Sequence, residues 1–120
     1  MISANFSRTV DGFSLSMRGH ANYAPTGSGR ADIVCAAVSG IFYALVGYLA
    51  NSGEDCDLSR IRHGHADVDC SEQAEEAMKQ TCIGFIQIQN TYPECVRVHN
   101  GVWEFPRLVD RESASEQGRE

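Results

Sequence analysis

Hydrophobic and polar residues alternate in two short runs at the start of the chain. Apolar side chains occupy every second position over residues 2–6 and again over 13–17, and Asp11-Gly12 lies between the runs. An Asp-Gly pair between alternating runs is a strong signal for a two-residue hairpin turn. We therefore predict two antiparallel strands with one buried face, the second ending at Gly19 and leaving His20 at its exit.

The longest apolar segment, residues 33–50, carries no charged side chain. Its apolar residues recur at helical spacing, which predicts a helix from Asp32, a good N-cap residue, to about Leu49. A segment of this length is at the lower limit for a membrane span. Ser39 and two glycines interrupt it, so we favour a helix buried on both sides within a globular domain.

The second half of the chain repeats the order of hairpin and helix. Residues 60–63 and 66–70 predict two strands that turn near Gly64, with a bulge or a late start in the first strand. Ser71 is the expected N-cap of a second helix, which Tyr92-Pro93 stops. Val96 and Val98 then suggest a short last strand, followed by a turn at Asn100-Gly101 and by apolar residues that pack on an edge.

The predicted order is ββαββα with a short final strand. This order indicates an α+β fold with two layers, in which a mixed or antiparallel sheet packs against both helices. We expect one domain over residues 1–106 and a polar C-terminal tail over 107–120.

Composition narrows the classes of partner. The net charge is −6 and Lys79 is the only lysine, which argues against a nucleic-acid surface because phosphate binding needs clustered cations. The five cysteines show no CxxC spacing, and the N-terminus lacks the pattern of a secretory signal. We expect free thiols in a reducing cytoplasm.

The segment around the first helix carries candidate chemistry. Cys35 lies in the first helical turn, where the helix dipole favours the thiolate and where first-turn amides can stabilise an oxyanion. His20, at the end of a strand, can serve as general base and then as general acid. A cysteine in an apolar helix is more often a packing residue, so spacing alone leaves both interpretations open.

Two further motifs point to weaker alternatives. Gly27-Ser28-Gly29 precedes a helix but lacks the Gly-Lys-Ser/Thr that a phosphate loop requires. His63 and His65, with two aspartates nearby, have metal-binding side chains, yet they flank a turn where polar residues are common. We expect neither a metal nor a cofactor.

A resemblance favours catalysis. Gly19-His20-Ala21, Tyr23-Ala24 and residues 32–39, Asp-Ile-Val-Cys-Ala-Ala-Val-Ser, resemble the signature of the ribosomal-processing cysteine protease family, Prp, and the similarity extends over residues 1–100. The resemblance implies that Cys35 and His20 form a catalytic dyad. It also implies a cytoplasmic homodimer that removes a short N-terminal extension from a large-subunit ribosomal protein.

The chain departs from the family pattern in three places. Asn22 stands where a glycine is usual, the loop containing Gly27 and Gly29 is longer, and residues after His99 look like an addition. We treat Asn22, Gly27 and Gly29 as a candidate substrate loop. The altered loop also leaves open a non-catalytic binding module, such as a ribosome-associated assembly factor.

Two supporting residues have two interpretations each. Asp32 either caps the helix or orients His20 as a third catalytic residue. Ser39 lies one turn after Cys35, where it lines the pocket or bonds back to the Cys35 carbonyl.

Overall fold

The computed structural model describes residues 1–24 and 27–108. Its elements follow the predicted order, with a single 3-10 turn, Glu72–Ala74, before the second helix. The strands and helices are β1 (Ile2–Arg8), β2 (Gly12–Arg18), α1 (Ile33–Ser52), β3 (Cys56–Arg62), β4 (His65–Ser71), α2 (Glu75–Thr91) and β5 (Val96–Asn100).

The five strands form one sheet in the order β3-β4-β2-β1-β5. All neighbouring strands are antiparallel except β1 and β5, which are parallel. A parallel pair needs a crossover, and the chain reaches β5 from β4 through α2, which packs on both β2 and β5. The sheet is therefore mixed, and the predicted α+β class is confirmed.

One face of the sheet and one stripe of each helix form the core. Alternate strand residues are buried while their neighbours, mainly serine and aspartate, are more exposed. The core includes Ile2, Ala4, Phe6, Phe13, Leu15 and Val68 from the sheet, with Val34, Val38, Leu49, Met78, Cys82 and Phe85 from the helices. Both helices therefore cover the same face, giving two layers.

The first hairpin differs from the predicted turn. Arg8 pairs with Phe13, so residues 9–12 separate the last paired positions, and neither Asp11 nor Gly12 has a positive φ. Gly12 has a different reason to be glycine, because a Cβ there would collide with the carbonyl oxygen of Cys70 on β4. Close approach of two strands, and not turn geometry, accounts for this residue.

The second hairpin has the predicted irregularity. The register of β3 against β4 shifts between Asp57 and Arg60, which confirms a bulge. Strand β3 begins at Cys56, earlier than predicted, because an edge strand with largely exposed side chains has no clear alternation to mark its start. The turn at His63-Gly64 has φ +74° at Gly64, a conformation that favours glycine.

The predicted cap of the second helix is wrong in detail. Ser71 ends β4 and precedes the 3-10 turn, but its side chain makes no capping hydrogen bond. Its backbone amide instead donates to the Asp55 carbonyl at 2.9 Å, which extends the hairpin ladder. The α-helix begins at Glu75, and the acidic side chains of Glu75 and Glu76 lie in its first turn, where they complement the helix dipole.

The segment after β5 packs on the core. The Asn100 side chain accepts from the amides of Val102 and Trp103 at 3.0 Å each, which makes the predicted turn. The Trp103 ring then lies 5.3 Å from Phe13 and 6.2 Å from Phe6, measured between centroids. This segment therefore covers core phenylalanines instead of an edge. Most of the predicted tail, residues 109–120, lies outside the described part.

Helix α1 is buried on one side only, contrary to our expectation. Its 18-residue apolar window has a mean hydropathy of 2.1, so by length and composition the helix could cross a membrane. Of that window, 28% is buried inside the structure. The core helix of a soluble protein passes the same test. Ile33, Tyr43 and Tyr48 are 55%, 64% and 50% exposed, so an apolar face of α1 has no partner among the residues that the structure describes.

Candidate active site

The Asp32 carboxylate joins two segments of backbone. Its Oδ1 accepts from the amides of Val34 and Cys35 at 3.0 Å each, which caps α1. Its Oδ2 accepts from the amides of Tyr23 and Ala24 at 2.8 Å and 3.2 Å. These bonds, the one from Cys35 above all, hold the pKa of Asp32 below its ordinary value. Asp32 therefore fixes the loop after β2 against the start of α1.

The loop places a hydrogen-bond donor on the Cys35 sulfur. The backbone amide of Ala21 donates to Cys35 Sγ at 3.3 Å, and Ala21 is itself buried. Between Ala21 and the segment tied to Asp32, Asn22 has φ +56°. Asparagine is one of the few non-glycine residues that enter this left-handed region readily. The Cys35 sulfur therefore lies between an amide donor and the N-terminus of α1.

Cys35 and His20 lie on the same cavity. The cavity has a volume of about 190 Å³, and Ser39 contributes to its wall. No hydrogen bond joins His20 to Cys35, to Asp32 or to Ser39 among the residues that the structure describes. The Asp32 carboxylate accepts from backbone amides, which places Asp32 at the helix cap. Likewise Ser39 lies in the wall and is not bonded to the Cys35 carbonyl.

Three amides of the first turn, which we expect to stabilise the oxyanion, already have acceptors in the structure. The amides of Val34 and Cys35 donate to the Asp32 side chain, and that of Ala36 donates to the Asp32 carbonyl at 3.0 Å. An oxyanion that bound the Val34 or Cys35 amide would have to replace a charge-assisted bond to the Asp32 carboxylate.

Sequence reasoning missed His63 and Gly64 as neighbours of the imidazole. The rings of His20 and His63 lie 4.8 Å apart between centroids. A Cβ on Gly64 would come within 2.9 Å of His20 Nε2. The Gly64 carbonyl also accepts from the Gly19 amide at 2.9 Å. The pairing of β2 with β4 brings this turn to His20, and that pairing joins segments far apart in sequence.

The described residues that line the cavity include no acidic side chain. They include three histidines and two arginines, although the chain has net charge −6. These are Arg18, His20, Arg62, His63 and His65. Of these, Arg18 forms an ion pair at 3.1 Å with Asp67, which also lies 3.4 Å from His65.

The predicted substrate loop does not reach the cavity. Asn22, Gly27 and Gly29 are exposed and none lies in its wall. Gly27 and Gly29 have φ of +78° and +76° and open space around their Cα atoms. Pro25 and Thr26 fall outside the described residues.

The aspartates near the second hairpin face arginines. Asp67 bonds to Arg18, and Asp69 to Arg60. No group of three or more potential metal-binding side chains of the types His, Cys, Asp and Glu occurs within residues 1–24 and 27–108.

The remaining thiols differ from Cys35 in their surroundings. Burial raises the pKa of Cys70 to about 11 and that of Cys82 to about 12. Burial also raises the pKa of Cys95. Cys56 is exposed, but it lies at the opposite end of the sheet from His20. Cys35 is therefore the thiol that combines access to the cavity with an amide donor.

A family model described as cysteine protease Prp matches residues 1–97. The chain belongs to the cysteine protease Prp family. It is therefore a cysteine peptidase, and the half-buried Cys35 in the matched region is the thiol best placed for that chemistry.

Solved structures show the same fold. An essential ribosomal processing protease Prp from Staphylococcus aureus, solved with a covalently linked product peptide, is 21% identical with a TM-score of 0.70. The match covers 83% of this chain and 99% of that one. The protein SMU.848 from Streptococcus mutans is 27% identical with a TM-score of 0.62, over 83% and 93% of the two chains. No curated protein matches the chain.

Replacing Asp32 tests its structural role. We expect Asp32→Ala to lower the free energy of unfolding by about 1–2 kcal/mol, because the cap and the loop ties are lost together. The pKa of Asp32 is lowered in the folded state, so its contribution is full above its ordinary pKa. It is lost as the pH falls through the lower folded-state value.

Urea unfolding from neutral pH to about pH 2 measures this effect. The stability gap between wild type and Asp32→Ala should narrow at the acidic end, while the exposed control Asp11→Ala shows little gap at any pH. Equal unfolding midpoints for both variants at neutral pH would contradict the role of Asp32.

Replacing Gly64 tests the contact with His20. Gly64→Ala strains a positive φ and pushes a Cβ into the imidazole, whereas Gly53→Ala strains a similar φ of +77° in open space. We expect each variant to lose roughly 1–2 kcal/mol of stability. Only Gly64→Ala should lose peptidase activity. Thermal unfolding measures the loss of stability in both variants, and kinetics measures the loss of activity. Equal activity in both variants would show that this contact is unimportant.

Proposed function

We propose that the chain is a cytoplasmic endopeptidase that removes a short N-terminal extension from a large-subunit ribosomal protein. The observation that carries the proposal is the position of Cys35. Its sulfur accepts a hydrogen bond from the Ala21 amide, and it lines the same cavity as His20. Membership of the cysteine protease Prp family supports the reaction class. The described ribosomal processing activity of the Staphylococcus aureus protein supports the substrate class.

The first half of the reaction forms an acyl-enzyme. His20 takes the proton from the Cys35 thiol, and the sulfur attacks the carbonyl carbon of the scissile peptide bond. The carbonyl oxygen carries the negative charge of the tetrahedral intermediate. When this collapses, the C–N bond breaks and the His20 imidazolium gives its proton to the leaving amine. The thioester on Cys35 then holds the N-terminal fragment.

The second half releases that fragment. His20 removes a proton from a water molecule, whose oxygen attacks the thioester carbon. Breaking the C–S bond yields a carboxylic acid, which releases its own proton to solvent, and a Cys35 thiolate. The proton held on His20 then returns to that thiolate, which restores the starting enzyme.

The imidazole has to move before it can act. In the free chain it packs against His63 and is not bonded to Cys35. His20 is exposed, so rotation about its side-chain bonds meets little resistance. Catalytic hydrogen bonds often form only when substrate is bound. We infer that a bound peptide excludes water and turns His20 towards the sulfur.

Asp32 holds the parts of the site together through its backbone contacts. Four backbone amides donate to its carboxylate, and the Ala21 amide donates to the Cys35 sulfur. The loop after β2 and the start of α1 therefore stay in place around the proposed nucleophile.

The small cavity suits one substrate side chain. Ligand sites for drug-sized molecules typically have volumes of 300–1,000 Å³, larger than the 190 Å³ found here. Val38, Phe42 and Tyr43 supply apolar wall. An extended peptide would lie across the surface and insert one apolar side chain beside Cys35.

A second copy of the chain is the partner that fits α1. Its unpartnered face carries Ile33, Tyr43 and Tyr48, and a Cβ at Gly40 or Gly47 would meet nothing within 4 Å. Large rings beside small residues let two helices approach closely. We therefore include a homodimer through α1 in the proposal. The five free thiols support a reducing compartment.

Peptide cleavage tests the dyad. The substrate is a peptide that carries the N-terminal extension of a large-subunit ribosomal protein. We expect Cys35→Ala to abolish cleavage and His20→Ala to lower kcat/KM by about 10²–10⁴-fold, because general base catalysis is lost. The matched control is Cys56→Ala, which removes an exposed thiol away from the cavity. Mass spectrometry identifies the cleaved bond.

Alkylation separates an enzyme from a binding module. Iodoacetamide at neutral pH should label Cys35 faster than the exposed Cys56, and His20→Ala should slow the labelling of Cys35. Cleavage that persists in Cys35→Ala would remove Cys35 from the mechanism. Peptide binding without cleavage by the wild type would favour the non-catalytic module.

Charge at the exposed face of α1 tests the homodimer. Tyr43→Glu should weaken self-association by at least tenfold, since it buries a carboxylate at the interface. Val10→Glu places the same charge at a residue that is 97% exposed on the first hairpin and should leave association unchanged. Sedimentation equilibrium measures both. A wild-type chain that stays monomeric at high concentration would refute the dimer.

A further inference from the structure

Cys56 and Cys70 face each other across the second hairpin. They are paired residues of β3 and β4. The Ser71 amide donates to the Asp55 carbonyl at 2.9 Å, so Asp55 and Ser71 form a hydrogen-bonded pair. Because the two kinds of pair alternate along an antiparallel ladder, the adjacent Cys56–Cys70 pair is non-hydrogen-bonded. In such pairs the Cα atoms lie about 4.5 Å apart. This separation falls within the 4.4–6.8 Å that disulfides span.

Both thiols lie on the same side of the sheet. Cys70 is buried in the core, and Cys56 Sγ lies 3.8 Å from the carbonyl oxygen of Leu49 on α1. The pKa of Cys70 is raised mainly by burial, with Cys56 among the groups that raise it further. The two sulfurs are therefore neighbours between the sheet and the helix layer.

The two thiols differ in access to solvent. Cys56 is exposed because β3 is an edge strand and the pair lies at its start. Cys70 is only 6% exposed. A small oxidant meets Cys56 first, and the buried Cys70 is positioned to react with the product.

We propose that Cys56 and Cys70 form a reversible disulfide that fastens the edge strand β3 to β4. With a small disulfide such as oxidised glutathione, the Cys56 thiolate attacks one sulfur and releases one glutathione thiol. Cys70 then loses its proton and attacks the Cys56 sulfur, and the second glutathione leaves as thiolate and takes up a proton. Two protein thiols are oxidised and one small disulfide is reduced to two thiols.

The bond would act on the strand that reaches the catalytic cavity. Within the described sheet, β3 pairs only with β4, and its register is broken between Asp57 and Arg60. The other end of β3 leads to Ile61 and His63, which line the cavity that holds Cys35. Fastening the start of β3 therefore restricts the hairpin that contacts His20.

Thiol counting tests the pair in the full-length chain. Cys35→Ser is used as background so that the nucleophile does not compete, which leaves four thiols. After treatment with oxidised glutathione and an acid quench, the denatured chain is tagged with a maleimide. We expect two tags fewer, a peptide linking Cys56 to Cys70, full recovery with dithiothreitol, and a melting temperature raised by about 5 °C or more.

Two further variants make the result specific. When Cys56→Ser is added, oxidation should no longer remove a pair of thiols. When Cys95→Ala is added, the Cys56–Cys70 crosslink should still form. Four tags after oxidation, or glutathione that remains on Cys56 without closing the pair, would overturn the proposal. Loss of a pair of thiols in the variant that carries Cys56→Ser would also overturn the proposal.

Discussion

The four hydrogen bonds accepted by the Asp32 carboxylate are the constraint on which the site depends. One oxygen caps α1 and the other holds the loop that follows β2. Without this tie, two segments of backbone that meet at one helix end would have unpaired donors. The tie also fixes the Ala21 amide on the Cys35 sulfur. Asp32 thereby decides where the Cys35 sulfur and its amide donor lie.

The remaining part of the site comes from the sheet. Pairing of β2 with β4 carries the turn at His63-Gly64 to the end of β2, where the Gly64 carbonyl accepts from Gly19. That turn forms a wall against which His20 rests. The two residues of the proposed dyad therefore have supports of different origin, a helix cap for Cys35 and a hairpin turn for His20. Separate supports allow the imidazole to move while the thiol stays in place.

The same layered fold leaves two surfaces incomplete. The helix layer covers one face of the sheet, but α1 keeps an apolar face with exposed Tyr43 and Tyr48. At the edge of the described sheet, β3 pairs with β4 and has a break in its register, and it carries an exposed thiol opposite a buried one. A second chain would complete the first surface, and a covalent bond would reinforce the second. Both bear on the cavity, because α1 and β3 each supply part of its wall.

The sequence by itself determined the order of elements, the cap at Asp32 and the association of Cys35 with a helix start, because these depend on local periodicity and short-range hydrogen bonds. It also marked the bulge in β3. Only the tertiary structure decided that the sheet is mixed, that His63 and Gly64 stand beside His20, and that Gly12 is needed for close strand approach. Each of these depends on strand pairing between residues far apart in sequence, which local patterns do not encode. The use of the first-turn amides is local instead, since the cap at Asp32 itself takes up these donors.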